Sequence, residues 1–135
     1  MVRSLFAVAV AVTALVSLDS DGQADDLRHL RLERAEPAVD TVVTTAPEEL
    51  RLFYSEEPHL ATTTVRMMAE DETAIELAAP AADAENKQLI RVGVEGDMAP
   101  GLYTVAWRTT SADGHVVRGD YRFTVREASG ADGSR

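Results

Sequence analysis

The sequence predicts an all-β domain of about seven short antiparallel strands, closed as a Greek-key barrel or sandwich of the immunoglobulin-like kind. Two observations carry this. Short segments alternate apolar and polar residues with a period of two, the mark of strands that turn one face inward. Between them stand chain breakers at short intervals: Glu36-Pro37, Ala46-Pro47, Glu57-Pro58, Pro80, Pro100-Gly101 and Asp113-Gly114.

In chain order, His29-Leu30-Arg31-Leu32 opens the first strand-like segment. Leu50, Leu52 and Tyr54 alternate with Arg51, Phe53 and Ser55. Thr62 to Met68 is rich in β-branched residues, and Ala74 to Leu77 is a short candidate strand. Proline at position 80 makes the Ala-rich stretch Ala78 to Ala84 a loop rather than a helical turn. Ile90, Val92 and Val94 then alternate with Arg91, Gly93 and Glu95. Tyr103, Val105 and Trp107 share one face of the next segment, and Trp107 should be the largest anchor of the core. Tyr121, Phe123 and Val125 mark the last strand.

The domain occupies residues 29–126. Ahead of it, Arg3 precedes an uncharged apolar run from Leu5 to Leu18, 14 residues long and too short to span a bilayer as a helix. A basic start, a short apolar core and small residues at Gly22 and Ala24 describe a secretory signal peptide over 1–24, cut after Ala24. Residues 25–28 form a polar leader. Residues 127–135 contain almost nothing to bury and read as a disordered tail. The mature chain is then expected to be periplasmic or extracellular, with no membrane span.

The chain has no cysteine, so disulfides and thiolate metal chemistry are excluded. Its formal charge is −10; without residues 1–24 it keeps 12 basic and 21 acidic residues, net −9. A surface of that sign repels nucleic acid and tolerates cations. Enzyme signals are poor. No serine sits in a nucleophile elbow, no glycine-rich phosphate loop appears, and the carboxylate spacing selects no catalytic pair.

Only three histidines narrow any metal site: His29, His59 and His115. Imidazole and carboxylate donors suit copper(II), zinc or nickel(II), with copper(II) bound tightest. In an extended chain Asp113 and His115 would point to one side and could meet one ion. Asp113 could instead hydrogen-bond the His115 ring and orient it. Read locally, Asp113-Gly114 is a turn pair with a solvated histidine beside it. His59 follows Glu57-Pro58 on a loop, and its residue type alone assigns it no role. Met67 and Met68 are adjacent and face opposite sides of a strand, which disfavours a thioether copper(I) site.

Four segments taken together resemble the CopC family of periplasmic copper-binding and copper-resistance proteins. His29-Leu30-Arg31-Leu32-Glu33-Arg34-Ala35-Glu36-Pro37 is similar to that family's mature N-terminus, a histidine followed eight residues later by proline. Leu50 to Glu56 resembles its apolar strand ending in Phe-Ser-Glu. Pro100 to Arg108 resembles its Gly-x-Tyr-x-Val-x-Trp strand, and Ser111-Ala112-Asp113-Gly114-His115, with Gly119 and Phe123, its Ser-x-Asp-x-His segment. The resemblance implies a seven-stranded Greek-key barrel. It also implies one copper(II) ion held by His29, Asp113 and His115, with Glu56 as a further acid nearby. In the family the histidine is the first mature residue and its amine also binds. Cleavage after Ala24 leaves four residues ahead of His29, so its nitrogen is a peptide amide. Two imidazoles and one carboxylate remain, with water or another group completing the shell.

The function that follows is non-catalytic: an exported protein that sequesters or carries copper(II), contributing to resistance or homeostasis, with a membrane copper transporter as a candidate partner. Two other readings stand beside it. One is an immunoglobulin-like module without metal. The other is a copper-brace oxidative enzyme, whose paired histidines are similar but against which the aspartate ligand, the small size and the internal His29 nitrogen count.

Overall fold

The computed structural model describes residues 29–127. The signal peptide, the 25–28 leader and the tail beyond Glu127 lie outside that range. The described residues form nine strands: β1 (Leu32–Glu36), β2 (Val42–Val43), β3 (Glu49–Tyr54), β4 (Thr64–Ala69), β5 (Ala74–Ile75), β6 (Ala81–Ala82), β7 (Leu89–Gly93), β8 (Gly101–Thr110) and β9 (Val116–Val125). One 3-10 turn, Leu60–Thr62, precedes β4. No helix among the described residues is long and apolar enough to cross a membrane.

The strands divide into a four-stranded sheet, β1-β3-β7-β6, and a five-stranded sheet, β2-β9-β8-β4-β5. The chain passes repeatedly from one sheet to the other, so each sheet buries its apolar face against its partner. The alternation legible in the sequence is the buried pattern. Leu50, Leu52 and Tyr54 are at most 1% exposed; Ile90, Val92, Val105 and Phe123 are fully buried. Tyr103 and Phe123, opposite each other on β8 and β9, stack at 5.8 Å between ring centres. Tyr54 meets Trp107 edge-on at 5.2 Å across the sandwich. Trp107 is buried on the same face as Tyr103 and Val105, as its spacing predicts.

Several features differ from the sequence-based expectation. The first strand runs over Leu32–Glu36 and does not start at His29, because His29 to Arg31 approach it as irregular chain. The two extra strands, Val42–Val43 and Ala81–Ala82, the latter inside the Ala78 to Ala84 stretch expected to be a loop, are too short to show a period. They form because a neighbouring strand offers open backbone groups. Ala81–Ala82 lies along the outer edge of β7, just past Pro80, where a missing N–H costs no ladder bond. Val42–Val43 runs parallel to β9, so the five-stranded sheet is antiparallel except at that edge. Finally, β8 and β9 extend beyond the obvious alternation. Their inward positions include Thr109 and Gly119, which hide the apolar pattern.

Both exceptions have physical causes. The Thr109 hydroxyl, fully buried, shares a 2.8 Å hydrogen bond with the Thr63 hydroxyl, so the polar group enters the core with its own partner. Gly119 lies opposite Trp107 and leaves room for the indole. A Cβ at Gly119 would stand 2.8 Å from Trp107 Cζ2. Replacement of Gly119 by alanine is therefore expected to destabilise the fold by about 1–3 kcal/mol through overpacking. Urea unfolding followed by Trp107 fluorescence measures this, and an unchanged midpoint contradicts it.

The outer face of the four-stranded sheet is zipped by ion pairs. Arg51 and Arg91 flank Glu49 at 3.0 and 2.9 Å, Arg51 reaches Glu36, and Arg91 also reaches Asp83. Arg34 pairs with Glu36 at 3.1 Å and lies 3.8 Å above the centre of the Phe53 ring. These groups are partly exposed, so each pair contributes little alone, while the network fixes which charges on this face are neutralised.

Candidate metal centre

Two chain segments far apart in sequence meet at one end of the sandwich. The first is the approach to β1. Leu30 is 1% exposed and inserts into the core. That burial is worth about 2 kcal/mol and anchors the residue next to it. The Arg31 amide donates to Ser55 Oγ at 3.0 Å, and the Ser55 amide donates to the Arg31 carbonyl at 2.9 Å. These reciprocal bonds tie the strand start to the end of β3. His29, one residue before the buried leucine, is left at the surface.

The second segment is the turn that closes the β8–β9 hairpin. The last register pair is Thr110 with Val116, which leaves Ser111 to His115 as the loop. The Ser111 amide donates to the His115 carbonyl and the Gly114 amide to the Ser111 carbonyl, each at 2.9 Å. Gly114 has φ +88°, a conformation that glycine adopts without the Cβ penalty. Ser111 is buried, and its hydroxyl donates to Asp113 Oδ1. The His115 amide donates to the same oxygen at 3.2 Å. The other carboxylate oxygen, Oδ2, lies 2.7 Å from His115 Nδ1.

The turn reading and the ligand-orienting reading of Asp113-Gly114-His115 therefore describe one arrangement. The segment is not extended, so the two side chains meet through the turn and not through strand geometry. The Ser111 hydroxyl first, and the His115 ring and amide next, hold the Asp113 carboxyl well below the usual carboxylate range. An ionised carboxylate only accepts, so the proton in this contact belongs to His115 Nδ1, and Nε2 is the ring nitrogen left to face a ligand.

His29 comes up to this pair. Its ring centre is 6.1 Å from that of His115, with the planes at 72°. One ligand atom from each of His29, Asp113 and His115 lies within 4.8 Å of the others, and all three residues are exposed. Donors on opposite sides of a first-row ion stand about 4 Å apart, at bond lengths near 2 Å. Small rotations of exposed side chains bring three such donors onto one ion. The three residues singled out in the sequence are thus brought together.

The remaining candidates are placed elsewhere. His59 is exposed and outside the cluster; its backbone does the structural work. Its amide donates to the Thr110 carbonyl, and its carbonyl accepts from Thr62 and Thr63. Glu56 is half-buried and does not join the cluster. Met67 is 1% exposed and Met68 38%, on opposite faces of β4 as adjacent strand residues must be. Three positioning residues had no role in the sequence reading: Leu30, Ser55 and Ser111. Ser111 and Ser55 stand inside the two motifs quoted, but a serine's partner is set by tertiary contact.

A β-sandwich that displays a His-Asp-His cluster at the mouth of its longest hairpin carries a candidate cation site at its rim. Residues 32–126 match the CopC domain, and the chain belongs to the CopC family. The match takes in Asp113 and His115 and begins three residues after His29. The chain is 32% identical over 126 residues to Protein YobA of Escherichia coli K12, covering 92% of this chain and 96% of that one. It is 30% identical over 107 residues to Copper resistance protein C of Escherichia coli, covering 74% and 83% of the two chains. Among solved structures, PcoC of Escherichia coli, described as a methionine-rich copper resistance protein, aligns with a TM-score of 0.64 and 25% identity over 73% of this chain and 99% of its own. CopC from Methylosinus trichosporium OB3b shares the fold, with a TM-score of 0.67 at 24% identity over 73% and 95% of the two chains.

The depressed Asp113 carboxyl gives a direct check. A folded-state pKa below the unfolded one stabilises the fold above the unfolded carboxyl range, and that contribution is lost as pH falls through the folded value. In Ser111→Ala the first-named cause is removed. The Asp113 carboxyl should then titrate at higher pH than in the unmodified chain, read by NMR of the side-chain carboxyl carbon. An unmoved midpoint contradicts the assignment.

Proposed function

We propose that this chain is an exported, non-catalytic copper(II)-binding protein. It sequesters or carries a single copper(II) ion and thereby contributes to copper resistance or homeostasis. The reading rests on one observation above all: His29 and the Asp113-x-His115 turn, far apart in sequence, offer three ligand atoms within 4.8 Å at an open surface. Membership of the CopC family and the names of its relatives support copper as the cargo.

The donor set suits that cargo. Two imidazole nitrogens and a carboxylate oxygen favour copper(II) in the divalent series and give a tetragonal plane its first three corners. With cleavage after Ala24 the His29 nitrogen is a peptide amide, and water takes the fourth corner. Asp113 serves in one of two ways, as a ligand itself or as the acceptor that aims His115. Exposure of all three side chains suits uptake and release, since an ion enters and leaves without opening the core. A periplasmic or extracellular location follows from the signal-peptide reading, and a membrane copper transporter is the proposed receiver.

Equilibrium dialysis against copper(II), with a competing chelator, is expected to give one ion per chain. His29→Ala and His115→Ala should each lower affinity by about tenfold or more, as loss of a metal ligand does. Binding should weaken as pH falls into the range where imidazole takes up a proton, because the metal needs the free nitrogen. Absence of stoichiometric binding, or full affinity in both variants, contradicts the proposal.

A further inference from the structure

The two sheets treat their arginines differently. On and beside the four-stranded sheet, Arg31, Arg34, Arg51 and Arg91 all have carboxylate partners within 3.6 Å. On the outward face of the five-stranded sheet, Arg66, Arg108, Arg118 and Arg122 are all exposed. Among the described residues, none of these four has a carboxylate within salt-bridge distance. The only acid on that face of β8 and β9 is Asp120. A chain of net charge −10 thus keeps one face locally positive.

The register makes the arrangement sharper. Arg108 and Arg118 are directly opposite each other on β8 and β9, a like-charge cross-strand pair that costs stability in isolation. Thr64 of β4 stands on the other side of Arg108, and Arg66 is one row along, opposite Ala106. A shallow cleft of about 630 Å³ lies between these guanidiniums, beside the small residues Ala106 and Gly119, and Asp120 lines it too.

We propose that the outward face of β4, β8 and β9 is a docking surface for an acidic segment of a partner protein. Exposure decides between ligand classes. A solvent-screened guanidinium contributes little to one small anion, so the four gain only from a partner that carries several carboxylates and excludes water over the face. Acidic residues at alternate positions of an extended segment are about 6.7 Å apart, which matches a row spacing on this sheet. A flat anionic bilayer fits less well. The turn that joins β4 to β5 in the same sheet carries the exposed acids Glu70, Asp71 and Glu72, which an anionic surface would repel. The face ends at the hairpin that carries Asp113 and His115, and docking there needs no copper.

The test is fluorescence anisotropy of a fluorescein-labelled decapeptide of alternating glutamate and serine, with the metal-free chain as titrant. Saturable binding is expected, weakening as salt is raised. Arg66→Ala/Arg108→Ala/Arg118→Ala should weaken it by about 3-fold to 100-fold, since three exposed pairs at roughly 1.5- to 5-fold each multiply. Arg34→Ala/Arg91→Ala removes as much charge per site from the other sheet and should change binding less than twofold. Trp107 emission reports whether the triple variant is folded, and Arg66→Gln/Arg118→Gln gives a milder second variant. Equal losses from both faces, no saturable binding, or stronger binding to phosphatidylglycerol vesicles than to the peptide would each overturn the proposal.

Discussion

The ladder between Gly101–Thr110 and Val116–Val125 pairs ten residues of each strand in unbroken register. Its inward side supplies Tyr103, Val105, Trp107, Tyr121 and Phe123 to the core, so a slip of one residue would expose every one of them. That constraint fixes where the hairpin ends, and hence where Ser111 to His115 must turn. The close fit of Trp107 against Gly119 locks the same register from within. The site has its geometry because the core leaves the hairpin no alternative.

Around that fixed turn the cluster is assembled by two different means. Asp113 and His115 are set locally: a buried serine, a glycine at positive φ and hydrogen bonds within the turn hold the pair together. His29 is set by tertiary packing, through the buried Leu30 and the reciprocal Arg31–Ser55 bonds. One half of the site is therefore arranged by its own local bonds and the other half is delivered to it by packing. The side chains themselves remain in water, so the fold does not bear the large cost of burying a carboxylate and two imidazoles without a metal.

The fold was legible wherever a strand alternates over several residues. Leu50–Tyr54, Ile90–Val92, Tyr103–Trp107 and Tyr121–Val125 need only their own side chains to declare which face is buried. The two-residue strands were not legible, because their pairing depends on open backbone groups supplied by β9 and β7. Thr109 and Gly119 hid the full length of the long hairpin for the same kind of reason: the partner that justifies each one, Thr63 or Trp107, lies on another strand. The meeting of His29 with Asp113 and His115 could be named from the family resemblance, but no local pattern encodes it. Ser55 and Ser111, both inside recognisable segments, acquire meaning only once their hydrogen-bond partners are known.

The central claim is that His29 and His115 serve one ion together. Electron paramagnetic resonance of the chain loaded with one equivalent of copper(II), with pulsed detection of the remote imidazole nitrogens, counts the histidines on the metal. Two imidazoles on a single tetragonal copper are expected, falling to one when either His29 or His115 is replaced by alanine. A single imidazole in the unmodified chain, or two that persist in His29→Ala, would contradict it.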